Sequence, residues 1–227
     1  TYVLICHYDQ ILPAFELIFT AAFYPEAVGG GALGLTVAKA MQFGVARGLF
    51  SNEAGMGTTP HAHAVAKVEH PAEQGLVAIF GVFTTVLIVT FTVLVILVTG
   101  VMDFDTTGIA LTQKAYSVGL GSIGVGFVAI CLFFFAYSTI ISWYFFSEQN
   151  VRYLFKGRGI LPYRLVVCLF LVLGAVTQVN LVWTLSDFFN GIMVIPNVIA
   201  LVLLSHVVKA SLTEFEAKLK DHEKTNA

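Results

Sequence analysis

Residues 48–60 read GLFSNEAGMGTTP, a polar stretch punctuated by glycines within a chain that is otherwise strongly apolar. A helix that crosses hydrocarbon must satisfy its own backbone, so irregular backbone at that depth is stable only around a protein-lined cavity. Secondary transporters use such broken helices to present carbonyl groups and half-helix ends to ions and solutes. The stretch therefore predicts a helix that is interrupted within the membrane, with a binding site at the interruption.

The composition supports a membrane protein. Of the 227 residues, 57% are hydrophobic and only 11% are charged, whereas soluble domains carry roughly 25% charged residues. The net charge of −2 gives no reason to expect a nucleic-acid partner. Three cysteines, Cys6, Cys131 and Cys168, lie in apolar runs without CxxC spacing, which favours small packed residues over a redox or metal site.

Four uncharged runs are each long enough to cross a hydrocarbon core of about 30 Å. They cover residues 74–102, 115–147 (with the span itself at 124–146), 165–186 and 188–208. Pro196 and Asn197 lie inside the last run and predict a local interruption of that span. These runs predict an all-α, polytopic membrane protein with a broken helix around 48–60.

The first third of the chain is less regular. We expect a short apolar helix at 11–23, a loop at 24–31 and a half-helix over 32–50 that ends near Phe50. A second half-helix is predicted to start near Thr58, where Thr58 or Thr59 can act as the cap and Pro60 suits the first turn. The start of the chain has neither a basic segment nor a cleavage site, so we expect a fragment that begins within a span rather than a signal peptide.

The distribution of basic residues predicts the orientation, because cytoplasmic loops carry an excess of lysine and arginine. Two basic segments are separated by one pair of predicted spans, so both are expected on the cytoplasmic side. The second begins at Lys209 and includes the polar tail at 211–227, which is predicted as a solvated helix or frayed terminus of a single transmembrane domain. The basic residues concerned are Arg152, Lys156, Arg158 and Arg164 in the first segment, and Lys209, Lys218, Lys220 and Lys224 in the second.

Several stretches together resemble one transporter family. RGLFSNEAGMG and the following small residues AHAVAK precede HPAEQGLVAIFGVF, and three further motifs are FAYSTIISWYFFSE, GAVTQVNLVW and SDFFNGIMVIPNVIALVLLS. This set is similar to the signature of the alanine or glycine:cation symporter family, and the resemblance covers nearly the whole chain. It implies the C-terminal half of a sodium:alanine symporter with a LeuT-type inverted-repeat core.

The resemblance carries further expectations. The chain would supply the sixth to tenth core helices, and its partner would be a missing N-terminal half of the same protein. The implied activity is symport of alanine or glycine with sodium across the cytoplasmic (inner) membrane, with no enzymatic step and no cofactor besides the coupling ion. In the family the position of Thr84 is commonly acidic, so the resemblance leaves both sodium and proton coupling open.

The broken helix supplies the predicted substrate-binding residues. Carbonyl oxygens at the end of the first half-helix carry the negative end of its dipole and suit a cation or an ammonium group. Asn52 adds an amide, and the glycines permit unusual backbone angles and close approach of a small ligand. The residues predicted to bind substrate are Phe50, Ser51, Asn52, Gly55, Met56 and Gly57.

A second group of residues is predicted to serve the coupling ion. Glu53 is expected in the ion path or gate, or alternatively in a structural salt bridge with Arg47, because a charge near the bilayer centre requires a partner or water. Thr84 and Thr85 are further ion-path candidates, by their alignment with the polar position of the family. The resemblance to LeuT-type transporters implies sodium ligands at Ser138 and Thr139, although hydroxyls in membrane helices commonly bond to their own backbone.

Other classes of function fit the sequence less well. An intramembrane enzyme would need paired carboxylates or an activated nucleophile, and the predicted spans contain no such constellation. His61 and His63 are two residues apart on a predicted helix and therefore point in different directions, which disfavours a metal site. A channel would pass ions without solute and would show no saturation with substrate. The main alternative is another LeuT-type transporter of an amino acid or amine, with sodium or protons as the coupling ion.

Overall fold

The structure is a computed structural model that describes residues 2–24, 37–102, 106 and 108–226. Helices account for nearly all of these residues, and the described part contains no β-strand. The helices are α1 (Tyr2–Cys6), α2 (Ile11–Phe23), α3 (Val37–Asn52), α4 (Thr59–His63), α5 (Pro71–Val98), α6 (Gly108–Leu120), α7 (Ser122–Leu154), α8 (Ile160–Val176) and α9 (Val179–Asn226).

Three of the described helices are long and apolar enough to cross a membrane. They are α5, α7 and the Val179–His222 portion of α9. The α8 helix is apolar but has only 17 residues. The all-helical, polytopic class predicted from the uncharged runs is therefore confirmed, and the first two predicted spans fall largely within α5 and α7.

The predicted boundary between the third and fourth spans is wrong. The α8 helix ends at Val176, Thr177 is extended (ψ 151°), and α9 runs without a break through Asp187 and Pro196. The prediction placed the boundary at the charge of Asp187, but a single charge does not end a helix whose backbone bonds are intact. The predicted interruption at Pro196 and Asn197 is also absent at the level of secondary structure, because Pro196 lies inside α9.

In the first third of the chain, the predicted apolar helix at 11–23 coincides with α2. The half-helix predicted over 32–50 corresponds to α3, which ends at Asn52, while positions 32–36 lie outside the described residues. The loop predicted at 24–31 also lies outside them, apart from Tyr24. The second half-helix does start after Thr58, but α4 comprises only five residues and does not extend through the AHAVAK stretch.

The chain forms two compact units. The first contains Thr1–Arg47 and Thr84–Ser142, and the second contains Gly48–Phe83 and Trp143–Ala227. The first unit has a small apolar core in which the start of the chain packs against the end of α5 and against α6. The buried residues of this core are Val3, Leu4, Ala14, Leu94, Val95, Val98 and Ala115.

In the second unit, a buried carboxylate joins α7 to α8. Glu148 is 7% exposed, and it accepts hydrogen bonds from Tyr144 and from Arg152, whose Nε lies 2.9 Å from Oε1. Arg164 of α8 lies 3.6 Å from the second carboxylate oxygen and also donates to the Tyr144 hydroxyl at 2.8 Å. The rings of Tyr144 and Tyr163 stack with their centroids 5.7 Å apart. The contacts that hold α8 against α7 are therefore mainly between polar side chains.

The polar tail continues α9 as a helix and packs against the start of α5. His70 is 6% exposed, and its Nδ1 accepts the Ala72 backbone N–H at 3.2 Å, which caps the first turn of α5. The Phe215 ring stacks on His70 at a centroid distance of 5.2 Å, and Glu214 lies 3.9 Å from its Nε2. The tail therefore makes specific contacts, in addition to forming the helix that its sequence allows.

Candidate functional site

The stretch at 48–60 contains a true interruption of helical backbone. Helix α3 ends at Asn52, residues 53–58 are not helical, and α4 begins at Thr59. Three residues in the gap have left-handed backbone angles, namely Glu53 (φ 52°), Gly55 (φ 91°) and Gly57 (φ 84°). We call residues 53–58 the break. Its glycines are needed because residues with a Cβ adopt these angles at a cost of about 1–2 kcal/mol each.

Local hydrogen bonds stabilise the two flanks of the break. The Thr58 hydroxyl donates to Glu53 Oε2 at 3.0 Å, and the Thr59 hydroxyl donates to the Glu53 backbone oxygen at 3.3 Å. These bonds fix Glu53, the one residue of the break that has a side chain and a left-handed φ. Thr58 or Thr59 was predicted to cap α4; Thr58 occupies the cap position, but its side chain makes no cap hydrogen bond and binds the Glu53 carboxylate instead.

Asn52 presents an unsatisfied oxygen at the end of α3. Its Nδ2 donates to the Gly48 carbonyl at 3.1 Å, which fixes the orientation of the amide. The amide oxygen is shielded from solvent and has no hydrogen-bond partner within the described part of the chain. A buried acceptor without a partner is unfavourable by about 1–3 kcal/mol, so a cation or an ammonium donor at this position would relieve the penalty. The oxygen also lies at the helix end that carries the negative dipole.

Asn197 of α9 reaches the middle of the break. Its Nδ2 donates to the Gly55 carbonyl at 2.8 Å. A Cβ placed on Gly57 would lie 3.0 Å from the Asn197 Oδ1 and 3.1 Å from its Cγ. A glycine is therefore required at position 57 for two reasons, the left-handed backbone angle and the close approach of Asn197.

One face of the break lines a partly open cavity of about 450 Å³ in the second unit. This volume falls in the range of small-molecule sites, which are mostly apolar with a few convergent polar groups. Met56 is 2% exposed and Phe146 is 8% exposed, so the apolar part of the wall is well packed. The lining residues are Met56, Gly57, Thr58, His61, Trp143, Phe146, Ser147, Asn150, Met193, Pro196 and Asn197.

His61 connects α4 to the end of α7 at the edge of this cavity. Its Nδ1 lies 3.0 Å from the Thr58 carbonyl oxygen, and its Nε2 lies 3.2 Å from Asn150 Oδ1. Asn150 in turn donates from its Nδ2 to the Phe146 carbonyl at 3.1 Å. His63 accepts instead from Gln74 at 2.6 Å. No group of three or more metal-ligating side chains suitable for an ion occurs among the described residues.

The structure distributes the predicted substrate-binding residues over different environments. Met56 and Gly57 line the cavity. Phe50 packs edge-on against Trp183 of α9, with the centroids 5.4 Å apart. Ser51 is exposed, and the Gly55 carbonyl accepts the bond from Asn197.

The remaining ion candidates belong to the first unit. Thr84, Ser138 and Thr139 are exposed, and Thr85 is partly buried. The Ser138 hydroxyl donates to the Phe135 carbonyl at 3.0 Å within its own helix. An oxygen that donates one proton retains its lone pairs, so sodium ligation at Ser138 and Thr139 stays a prediction, as does an ion path at Glu53, Thr84 and Thr85.

Sequence reasoning missed much of the cavity wall. Trp143, Phe146, Ser147 and Asn150 come from the end of α7, where the uncharged run gives way to polar residues. A signal was present, because Ser147 and Asn150 lie one turn apart beside Glu148. His61 was considered only as a metal ligand, whereas in the structure it lies in the cavity wall and contacts Thr58 and Asn150.

Comparison with known proteins identifies the family. The whole chain, residues 1–227, matches the sodium:alanine symporter family. The chain belongs to this family. It is 40% identical over 99% of its length to a sodium/alanine symporter of Methanococcus maripaludis, covering 49% of that protein. It is also 40% identical over 96% of its length to a probable sodium/glutamine symporter of Bacillus subtilis, covering 46% of it.

A third relative is a putative sodium/proton-dependent alanine carrier of Bacillus subtilis, 36% identical over 96% of the chain and covering 48% of that protein. The chain thus spans about half the length of the relatives it matches. No solved structure matches the chain. Family membership and the three long apolar helices confirm an integral membrane protein of a transporter family, which is not a family of enzymes.

Proposed function

We propose that the chain takes part in secondary active symport of a small neutral amino acid, alanine or glycine, with sodium across the cytoplasmic membrane. The observation that carries this proposal is the break at 53–58, a non-helical segment whose buried residue Met56 lines a cavity. Within a family of sodium:alanine symporters, a break of this kind supplies the backbone groups that an ion and a zwitterion need. The proposed mechanism is alternating access around this site.

The chemistry of the site suits these ligands. A neutral amino acid offers an ammonium group, and the unpaired Asn52 oxygen is an acceptor without competition from another donor. Sodium prefers oxygen ligands, which the carbonyls at the end of α3 can provide. We place the substrate against Phe50, Ser51, Asn52, Gly55, Met56 and Gly57, with Glu53, Thr84 and Thr85 in the ion path and with sodium ligands at Ser138 and Thr139.

One coupled sodium ion is sufficient to drive accumulation of a neutral solute. A membrane potential of about 100 mV contributes about 2.3 kcal/mol per charge. A tenfold sodium gradient adds about 1.4 kcal/mol. Together these terms support an accumulation of roughly 500-fold.

We further propose that the chain acts together with a second half of the same protein in a LeuT-type arrangement. The chain covers about half of its relatives, and large apolar side chains such as Phe80, Phe83 and Phe133 are more than 60% exposed. Lipid and the other half would cover such faces. We also propose that the basic segment around the α7–α8 connection and the tail, including the C-terminus, lie in the cytoplasm, because cytoplasmic loops carry an excess of lysine and arginine.

Uptake into proteoliposomes tests the proposal. The protein, expressed at its full natural length, should accumulate labelled alanine or glycine under an inward sodium gradient and fail to do so when choline replaces sodium. Excess unlabelled glutamine is the specificity control, because one relative is a probable glutamine symporter. Uptake of alanine and glycine that is equal with and without sodium, at a fixed pH on both sides, would refute sodium coupling.

Asn52 provides the matched test of the site. Asn52→Ala removes the unpaired oxygen, and we expect the half-saturating alanine or sodium concentration to rise about tenfold, the effect of losing one good hydrogen bond. Asn52→Asp retains an oxygen at the same position and should retain more affinity than Asn52→Ala. Asn180→Ala, which changes an exposed asparagine of α9, is the control and should leave both concentrations unchanged.

Proton coupling is a second candidate. It is favoured by the relative described as a putative sodium/proton-dependent alanine carrier. Uptake that follows an imposed pH gradient in the absence of sodium would select this candidate over sodium symport.

A further inference from the structure

The contact between α9 and the break joins residues that are 142 positions apart in the chain. The bonds from Thr58 and Thr59 to Glu53 stabilise the flanks of the break from within. Asn197 instead reaches the middle of the break, where Met56 lies between two glycines with left-handed backbone angles. The conformation of this middle part therefore depends on α9.

The Asn197 side chain fits this position in two ways. Its amide group donates to the Gly55 carbonyl at 2.8 Å, while its Oδ1, Cγ and Cβ lie against Gly57. The hydrogen bond orients one peptide group, and the contact limits the space available to the next glycine. A residue without the amide donor would leave the Gly55 carbonyl without this partner.

The contact also falls at a weak point of α9. Pro196 lies inside this helix and has no backbone N–H, so the carbonyl four residues earlier loses its helical partner. Prolines are the usual sites of bending in long helices. A change of bend at Pro196 would displace Asn197, the next residue, and with it the Gly55 carbonyl.

We propose that Asn197 is a positioning residue, which holds residues 55–57 in the conformation that shapes the cavity and transmits movements of α9 to the break. This inference rests on the proposed function, since it assigns a role within the same transport site. When Asn197 is absent, the break samples other conformations, and the fraction of protein competent to bind falls. The apparent dissociation constant then rises by the inverse of that fraction, while the transport step itself is retained.

The first test compares Asn197 and Asn190 variants by hydrogen exchange in the protein at its full natural length. Asn190 is a matched control, because it is also a partly buried asparagine of α9 but its amide contacts Ser186 of the same helix at 3.4 Å. We expect amides of the 53–58 peptide to exchange about three- to tenfold faster in Asn197→Ala and Asn197→Asp, as for loss of one hydrogen bond. Asn197→Asp retains the shape of the side chain but replaces the donor with an acceptor. Exchange at 53–58 no faster than in Asn190→Ala and Asn190→Asp would overturn the proposal.

The second test separates positioning from general loss of folded protein. In proteoliposomes, both Asn197 variants should raise the KM for alanine about three- to tenfold with little change in maximal rate per folded protein. An unchanged KM would overturn the positioning role, and a fall in the rate per total protein alone would then reflect only a loss of folded molecules. If the unchanged protein transports no alanine, the proposed function fails, and the exchange experiment still decides the role of Asn197.

Discussion

At Gly57, two separate features of the structure exclude a side chain. The backbone has φ 84°, and the space into which a Cβ would project is occupied by Asn197. The neighbouring Asn52 has the opposite property, an acceptor oxygen that lacks a partner. At the scale of single residues, the site thus combines a tightly fixed backbone with an unsatisfied group that a ligand can satisfy.

Gly57→Ala tests the first of these features. We expect it to destabilise the protein by about 1–2 kcal/mol through backbone strain alone, and to weaken alanine binding because Asn197 must move. Gly44→Ala is the control, since Gly44 lies within helix α3 and a Cβ there meets nothing within 4 Å. There the substitution should stabilise slightly, because alanine is the better helix former. Thermal unfolding and alanine binding of both variants check the prediction, and equal stabilities of the two would contradict it.

At the scale of helices, polar contacts decide how elements in the second unit are joined. Glu148 joins α7 to α8 through Tyr144, Arg152 and Arg164, and His70 joins the start of α5 to the tail of α9. Apolar packing contributes less here, because α8 has no fully buried residue in the described structure. Removing one polar partner should therefore weaken the attachment of a whole helix to its neighbour.

Glu148→Gln should lower the unfolding temperature clearly, because it leaves Arg152 and Arg164 beside a neutral group while retaining the size of the side chain. Glu216→Gln removes the same charge from an exposed position of the tail and serves as the control. The two variants are compared by thermal unfolding in the same detergent. Equal unfolding temperatures for the two variants would show that the polar contacts of Glu148 do not stabilise the packing of α8 on α7.

Phe215→Ala tests the contact of the tail. The loss of stacking on His70 should destabilise the tail by about 1 kcal/mol and increase its cleavage by proteases. Leu212→Ala, at an exposed position three residues earlier, should have little effect. Limited proteolysis followed by mass spectrometry measures both. A tail cleaved equally fast in the unchanged protein and in Phe215→Ala would argue against a docked tail.

The sequence predicted the existence of the break but not what contacts it. Glycines and polar residues in an apolar context indicate a local interruption, and α3 and α4 flank it as expected. The contact of Asn197 with Gly55 depends on how distant helices pack, which periodicity does not encode. The end of α8 at Val176 was missed for a related reason, because the absence of charge indicates membrane depth and does not mark where a helix ends.

At the scale of the whole molecule, we propose that the amino acid binds at the broken helix, at residues 53–58. An experimental structure of the protein at its full natural length, determined with alanine and sodium, tests this claim most directly. We expect residues 53–58 to be non-helical in that structure and alanine to lie within hydrogen-bond distance of residues 52–58. A continuous helix through residues 48–60, or alanine bound without contact to this segment, would contradict it.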